Sequence, residues 1–228
     1  MKKLLFFVLS IVSLGVSAQN IHFEQVGIAV SAKSSDYVLG LLNDFYGSIE
    51  KPDGVSITLD YVYFKPEEVA ATHYLTFAGS LEGLAKLREI RSGSAYQAMN
   101  SSIQKFAKVV SLQGGSTLMR MQVEKANQPI AQAWKFRVED PMAFAAAFTK
   151  LTKGFPQEGY LSLGQFTHGT SSDGETHYVY TTHKDYGTAL GWGPKTQQQQ
   201  EAFLNFQKKT GPISNFLGSM TLMHVKTW

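Results

Sequence analysis

Thr72-His73-Tyr74 returns as Thr176-His177-Tyr178, and Thr117-Leu118-Met119 returns as Thr221-Leu222-Met223, both 104 residues later with no gap between them. Leu59/Leu163, Gly83/Gly187, Ala85/Ala189, Ala98/Ala202, Lys105/Lys209 and Gly114/Gly218 keep the same offset, so the 61 positions from Leu59 to Met119 carry a dozen identities. A period near 100 residues is too long for a solenoid unit and is the size of a small domain. The chain reads as a duplication, which bounds the fold without naming a chemistry.

Working outward, the first copy opens with Val26-Gly27-Ile28-Ala29-Val30, short and apolar enough for a strand. Ser34-Ser35-Asp36 supplies N-cap oxygens for a helix whose buried face is expected to hold Tyr37, Val38, Leu41, Leu42 and Phe45. After the turn Lys51-Pro52-Asp53-Gly54, Val55–Tyr61 alternates with period two as a strand, and a second strand spans Thr72–Phe77. Ser80, with Glu82 and Glu89 after it, marks a helix start. The spacing of Tyr96, Met99, Ile103, Phe106 and Val110 predicts a longer helix from Ser94 to Val110, stopped by Gly114-Gly115 before a last strand, Ser116–Val123.

The second copy repeats the order. Ala133–Val138 alternates as a strand, and Asp140-Pro141 starts a helix, with Asp as cap and Pro where its missing N–H costs nothing. Gly159–Thr167 and Thr176–Thr182 are strands joined by a turn at Ser172-Asp173-Gly174-Glu175. The Gln197–Gln200 run is an exposed first turn leading into Phe203 and Phe206, and Met220–Val225 closes the unit.

Each copy is therefore β-α-β-β-α-β, the ferredoxin-like arrangement, with residues 19–125 as repeat 1 and 126–228 as repeat 2. One such unit leaves a sheet face bare, and two units cover those faces by closing as a barrel. The link Glu124–Gln132, with Pro129 in it, fuses them. In element order and duplication the chain resembles the dimeric α+β barrel superfamily, the group of antibiotic-biosynthesis monooxygenases, NIPSNAP and EthD proteins. The resemblance implies an α+β fold of two tandem ferredoxin-like repeats in a pseudo-dimeric barrel. The monooxygenases of that group work without metal or flavin and lean on scattered Tyr, Trp, Asn, His and Arg side chains.

Met1–Ala18 reads as a signal peptide: Lys2 and Lys3, an apolar run from Leu4 to Val12, then Val16 and Ala18 at the −3 and −1 positions of a cleavage site after Ala18. The run is shorter than the ~20 residues a span needs, so no stable membrane anchor is expected after its removal. A periplasmic or secreted location follows. The mature chain, Gln19–Trp228, has 19 basic against 18 acidic side chains, a balance that excludes the basic stripe of a nucleic-acid binder. The absence of cysteine excludes disulfides, thiolate metal sites and thiol catalysis. No cofactor and no metal are expected, and because both halves lie in one chain a monomer suffices.

The candidate site residues come from pairing the copies. His73 and His177 stand at matched points on matched strands. Polar groups are costly under helices, so they are expected to face the lumen, with Tyr74 and Tyr178 on the opposite face. Arg120 and His224, matched by the same offset on the last strands, and Arg137 beside Lys135 are the candidates for holding an anionic or carbonyl group. Trp192, between glycines in Gly191-Trp192-Gly193-Pro194, covers a pocket or plugs the barrel mouth. No nucleophile elbow, zinc helix, phosphate loop or dinucleotide fingerprint is present. Three readings remain: an exported barrel holding a small, partly apolar molecule between its sheets, a cofactor-independent monooxygenase or isomerase for a small aromatic or carbonyl compound, and a non-catalytic exported interaction module.

Overall fold

The computed structural model describes residues 21–228, and the proposed leader Met1–Ala18 lies outside them. The first half runs β1 (His22–Val30), α1 (Ser35–Tyr46), β2 (Ser56–Phe64), β3 (His73–Gly79), α2 (Leu81–Ile90), α3 (Ser94–Ile103) and β4 (Ala107–Met121). The second runs β5 (Ile130–Val138), α4 (Pro141–Gly154), β6 (Leu161–His168), β7 (His177–His183), α5 (Tyr186–Leu190), α6 (Gln197–Thr210) and β8 (Ser214–Thr227). The eight strands close into one barrel in the order β1-β3-β2-β8-β5-β7-β6-β4, every pair antiparallel. Seams at β2/β8 and β4/β6 join the halves.

The helix starts follow local chemistry. Ser80 Oγ accepts from Gly83 N at 3.0 Å and Asp140 Oδ1 from Ala143 N at 3.0 Å, with Pro141 opening α4. Thr196 and Asp185 cap α6 and α5 in the same way. The second helical region of each half is split in two, α2/α3 and α5/α6.

One expected element changes type. The helix over Ser94–Val110 ends at Ile103, and β4 begins at Ala107 and runs straight through Gly114-Gly115. Pairing with β1 along its whole length overrides the helical spacing of Phe106 and Val110. Gly115 is there because the chain passes close to other groups: a Cβ on it would stand 2.8 Å from the Phe23 ring.

Burial divides cleanly. Outside the barrel, α1–α3 cover a core that includes Ile57, Phe77, Leu87, Tyr46 and Trp228, each large side chain contributing about 1.5–3 kcal/mol of burial. The matching core under α4 and α6 holds Phe144, Phe148, Leu161 and Leu163. Inside, Val62, Tyr74, Ala131, Met220 and Leu222 pack across the lumen.

Candidate functional site

An eight-stranded barrel is only wide enough for its own side chains to meet, and here they meet unevenly. The packed waist leaves a cavity at each end, about 330 Å³ toward Arg120 and about 210 Å³ toward Glu175, with Lys135 and Met220 lining both. The walls of the larger one are Phe23, Phe166, Tyr160, Tyr178 and Tyr180, with Arg120, Asp60, Gln25 and Thr117 as polar groups. Tyr178 lies over Gly164, where any Cβ would strike its ring, and its hydroxyl is 3.5 Å from Thr117 Oγ1. Burial pushes the Tyr160, Tyr178 and Tyr180 phenols above the usual tyrosine range, with Arg120 drawing Tyr160 back, so all three present neutral O–H groups to the cavity.

A third cavity lies outside the barrel. It is about 410 Å³, between the outer face of β5, β6 and β7 and helices α4 and α6, walled by Trp134, Phe136, Phe155, Phe203, Phe206 and Trp192. Trp192 stacks on Trp134 at 4.7 Å between ring centres and donates its Nε1–H to Gln157 Oε1 at 2.7 Å.

The expected site residues separate. His73 and His177 do not face the lumen. They are buried on the outer face under the helices, and Tyr74 and Tyr178 take the lumen side. Each ring is accommodated there by its neighbouring threonine: Thr72 Oγ1 lies 3.0 Å from His73 Nδ1, and Thr176 Oγ1 lies 2.9 Å from His177 Nδ1. The same hydroxyls accept from Val30 N at 2.9 Å and Val138 N at 2.8 Å, so the repeated triplet pins the end of the first strand in both halves. Burial lowers the pKa of both imidazoles.

Arg120 lines the 330 Å³ cavity. His224 does not line it but bonds a residue that does, with Nδ1 3.1 Å from Asp60 Oδ1 and Nε2 3.0 Å from Thr227 Oγ1. The two are not structural counterparts. Arg120 pairs with Ser162 while Thr227 pairs with Thr58, and His224 pairs with Asp60 while Thr117 pairs with Gly164. The last strands therefore correspond at 107 residues, not 104, and Arg120 matches Thr227. Arg137 is exposed at the barrel rim, against the turn at Gly174. Trp192 covers the outer cavity instead of the barrel mouth, because α5 turns the chain back over the outer face of β5.

Lys135, Glu175 and Gln113 were missed as a site. The strand pattern makes Lys135, with Arg137, a candidate for holding an anionic or carbonyl group and places Glu175 in a turn, and nothing in it groups the two with Gln113. Among the described residues no group of three or more His, Asp or Glu side chains gathers as a metal site.

Sequence comparison matches no family model and no curated protein. Solved structures do match in fold. An anthrone oxidase-like protein aligns over 92% of this chain and 93% of its own at 10% identity, with a TM-score of 0.57. A provisionally assigned monooxygenase from Lactobacillus acidophilus NCFM aligns over 92% and 95% at 14% identity and TM-score 0.56. A mutant chlorite dismutase from Candidatus Nitrospira defluvii, in complex with cyanide, aligns over 90% and 91% at 10% identity and TM-score 0.51. At such identities the likeness speaks for architecture, and it places this chain in the fold of the dimeric α+β barrel superfamily, both halves fused in one polypeptide.

Proposed function

We propose that this chain is an exported protein that binds a small, partly apolar molecule in the barrel lumen. The observation that carries the reading is the 330 Å³ cavity lined by three neutral phenols, Arg120 and the Phe23 and Phe166 rings. A concave, mostly aromatic wall with a few oriented polar groups is the usual form of a small-molecule site. Neutral hydroxyls and a guanidinium suit an aromatic ligand bearing a hydroxyl, carbonyl or carboxylate. The basic start and apolar run of Met1–Ala18 support export. The experiment is equilibrium dialysis of the mature chain against phenolic and aromatic-acid compounds, repeated with Arg120→Ala. Binding that weakens in the variant at unchanged melting temperature supports the reading, and binding indifferent to Arg120 and Tyr178 removes it.

A second reading, oxygenation of an aromatic substrate without a cofactor, is favoured by the outer cavity. The first half fills the corresponding space with Trp228, whereas the second half leaves about 410 Å³ open behind Trp192. The names of the anthrone oxidase-like and monooxygenase neighbours point the same way. Oxygen uptake with anthrone as substrate, abolished by filling the cavity with Thr152→Trp, supports it. No uptake with anthrone or related phenols rejects it.

A further inference from the structure

Two buried polar side chains, Gln113 and Glu175, meet the half-buried Lys135 at the lumen waist. Lys135 Nζ donates to Gln113 Oε1 at 3.2 Å and stands 3.7 Å from Glu175 Oε1, which also accepts from Gln113 Nε2. Glu175 is 2% exposed, and its other oxygen accepts from the Ser171 backbone N–H at 3.1 Å and from the Ser171 hydroxyl. The Phe166 ring lies 5.3 Å from the ammonium.

The other half of the molecule shows what the fold requires at these points. Gly27 pairs with Tyr74 as Lys135 pairs with Tyr178, so Gly27 is the counterpart of Lys135. The identical bonding of Thr72 and Thr176 makes Ala71 the counterpart of Glu175. Gly27 also pairs with Ser111 as Lys135 pairs with Gly218, which makes Met220 the counterpart of Gln113. Ala71 and Met220 belong to the lumen's apolar cluster. The fold is thus satisfied by Gly27, Ala71 and Met220 at the points where Lys135, Glu175 and Gln113 place an ion pair and an amide. A buried ion pair commonly stabilises no better than apolar residues of similar volume, so packing does not account for the trio.

Its chemistry narrows what it meets. Lysine and glutamate cancel in charge, so the pair is not an anion trap. It offers an amine and a proton acceptor side by side, the amine lining both lumen cavities and the carboxylate the smaller one. We propose that Lys135 captures a small aldehyde or ketone as an imine, with Glu175 as its base, an inference that rests on the lumen being the ligand site. Glu175 takes a proton from the ammonium, and the amine lone pair forms a C–N bond to the carbonyl carbon while the π pair moves to oxygen. A proton passes from nitrogen to that oxygen, giving a carbinolamine. Glu175 returns its proton to the hydroxyl, which leaves as water, and the nitrogen lone pair forms the protonated imine. Burial, opposed by Glu175, holds the ammonium below the usual lysine range and eases the first step.

The test uses the intact mature chain with 4-hydroxybenzaldehyde and cyanoborohydride, mapping the trapped secondary amine by peptide mass spectrometry. Lys135 is expected to be modified ahead of the exposed lysines and the amino terminus, and Lys135→Arg to abolish that adduct in a folded protein. Glu175→Gln is expected to slow trapping about 100-fold, the scale of one general base. Gln113→Met, which copies the other half, is a second folded variant expected to trap more slowly. Trapping at Lys135 no faster than at exposed lysines, or unchanged in Glu175→Gln, overturns the proposal. The unreactive 4-hydroxybenzyl alcohol separates the two claims. If it binds in the lumen and no adduct forms, only the imine falls. If neither binds, the lumen site falls with it.

Discussion

Trp228 packs on Tyr46 with ring centres 5.5 Å apart and donates its Nε1–H to Asn43 Oδ1 at 2.9 Å, so the last residue of the second half completes the core of the first. Its backbone N–H bonds Ile57 O, and the residue in that place in the other half, Met121 opposite Leu161, points away and is 40% exposed. The halves therefore lean on each other unequally. Trp228→Ala is expected to cost about 3 kcal/mol, while Met121→Ala changes stability by less than about 0.5 kcal/mol, both read from urea unfolding. Equal effects would deny the asymmetry.

The threonine clips act alike in both halves. Thr72→Val and Thr176→Val each remove an acceptor from a strand N–H and a partner from a buried histidine. Each is expected to cost about 1–3 kcal/mol. A thermal melt in which one is harmless and the other is not would break the equivalence drawn from the repeat.

That equivalence was legible in the sequence because the clip needs both a hydroxyl and a ring at a fixed spacing. The Thr-Leu-Met identity misleads: the register shift at Gly27/Ile28 recurs at Lys135/Phe136, and that at Leu59/Asp60 recurs opposite Thr117/Met119, so the bulges match in both halves and the connections change the spacing of the outer strands. Ile28 pairs with His73 and Phe136 with His177, so the first strands correspond at 108 residues, whereas the middle strands keep 104. As the offsets of 108, 104 and 107 require, the second half is four residues shorter between its first strand and its middle pair and three longer between the middle pair and its last strand. Nothing inside the Thr-Leu-Met match announces this, so Arg120 and His224 line up by offset alone. The histidines were sent to the lumen on the cost of burying polar groups, a cost their threonines meet locally. The Lys135 trio was invisible because its members come from β4, β5 and the turn before β7. Only the closed barrel brings them together.

The buried histidines set a pH dependence. His73, His177 and His183 all have folded-state pKa values lowered by desolvation, and Nε2 of His177 and of His183 is buried without a hydrogen-bond partner. The unfolded chain then binds the protons more readily. Stability is full above the ordinary histidine value of about 6.5 and declines as pH falls below it toward the folded values. Urea midpoints are expected to drop between pH 7.5 and 5, and His177→Phe to shallow that drop. A flat profile over this window would contradict the burial of these rings.

The Lys135–Glu175 pair also acts on the fold, independently of any ligand. Glu175→Ala leaves a lysine in the waist with only Gln113 and a ring for company, and it also frees the Ser171 N–H. Removing one member of a buried pair costs about 3–5 kcal/mol, because the remaining charge is uncompensated. Lys135→Met with Glu175→Ala removes both charges and brings the waist closer to the apolar pattern of Gly27 and Ala71 in the other half. The double variant is therefore expected to be more stable than Glu175→Ala alone, with a coupling of about 1–3 kcal/mol across the cycle, read from urea unfolding at pH 7. It should also lose any reactivity toward carbonyl compounds while keeping the fold. If the double variant instead loses as much as the two single changes added together, the pair contributes by packing alone, and its absence from the first half has no functional meaning.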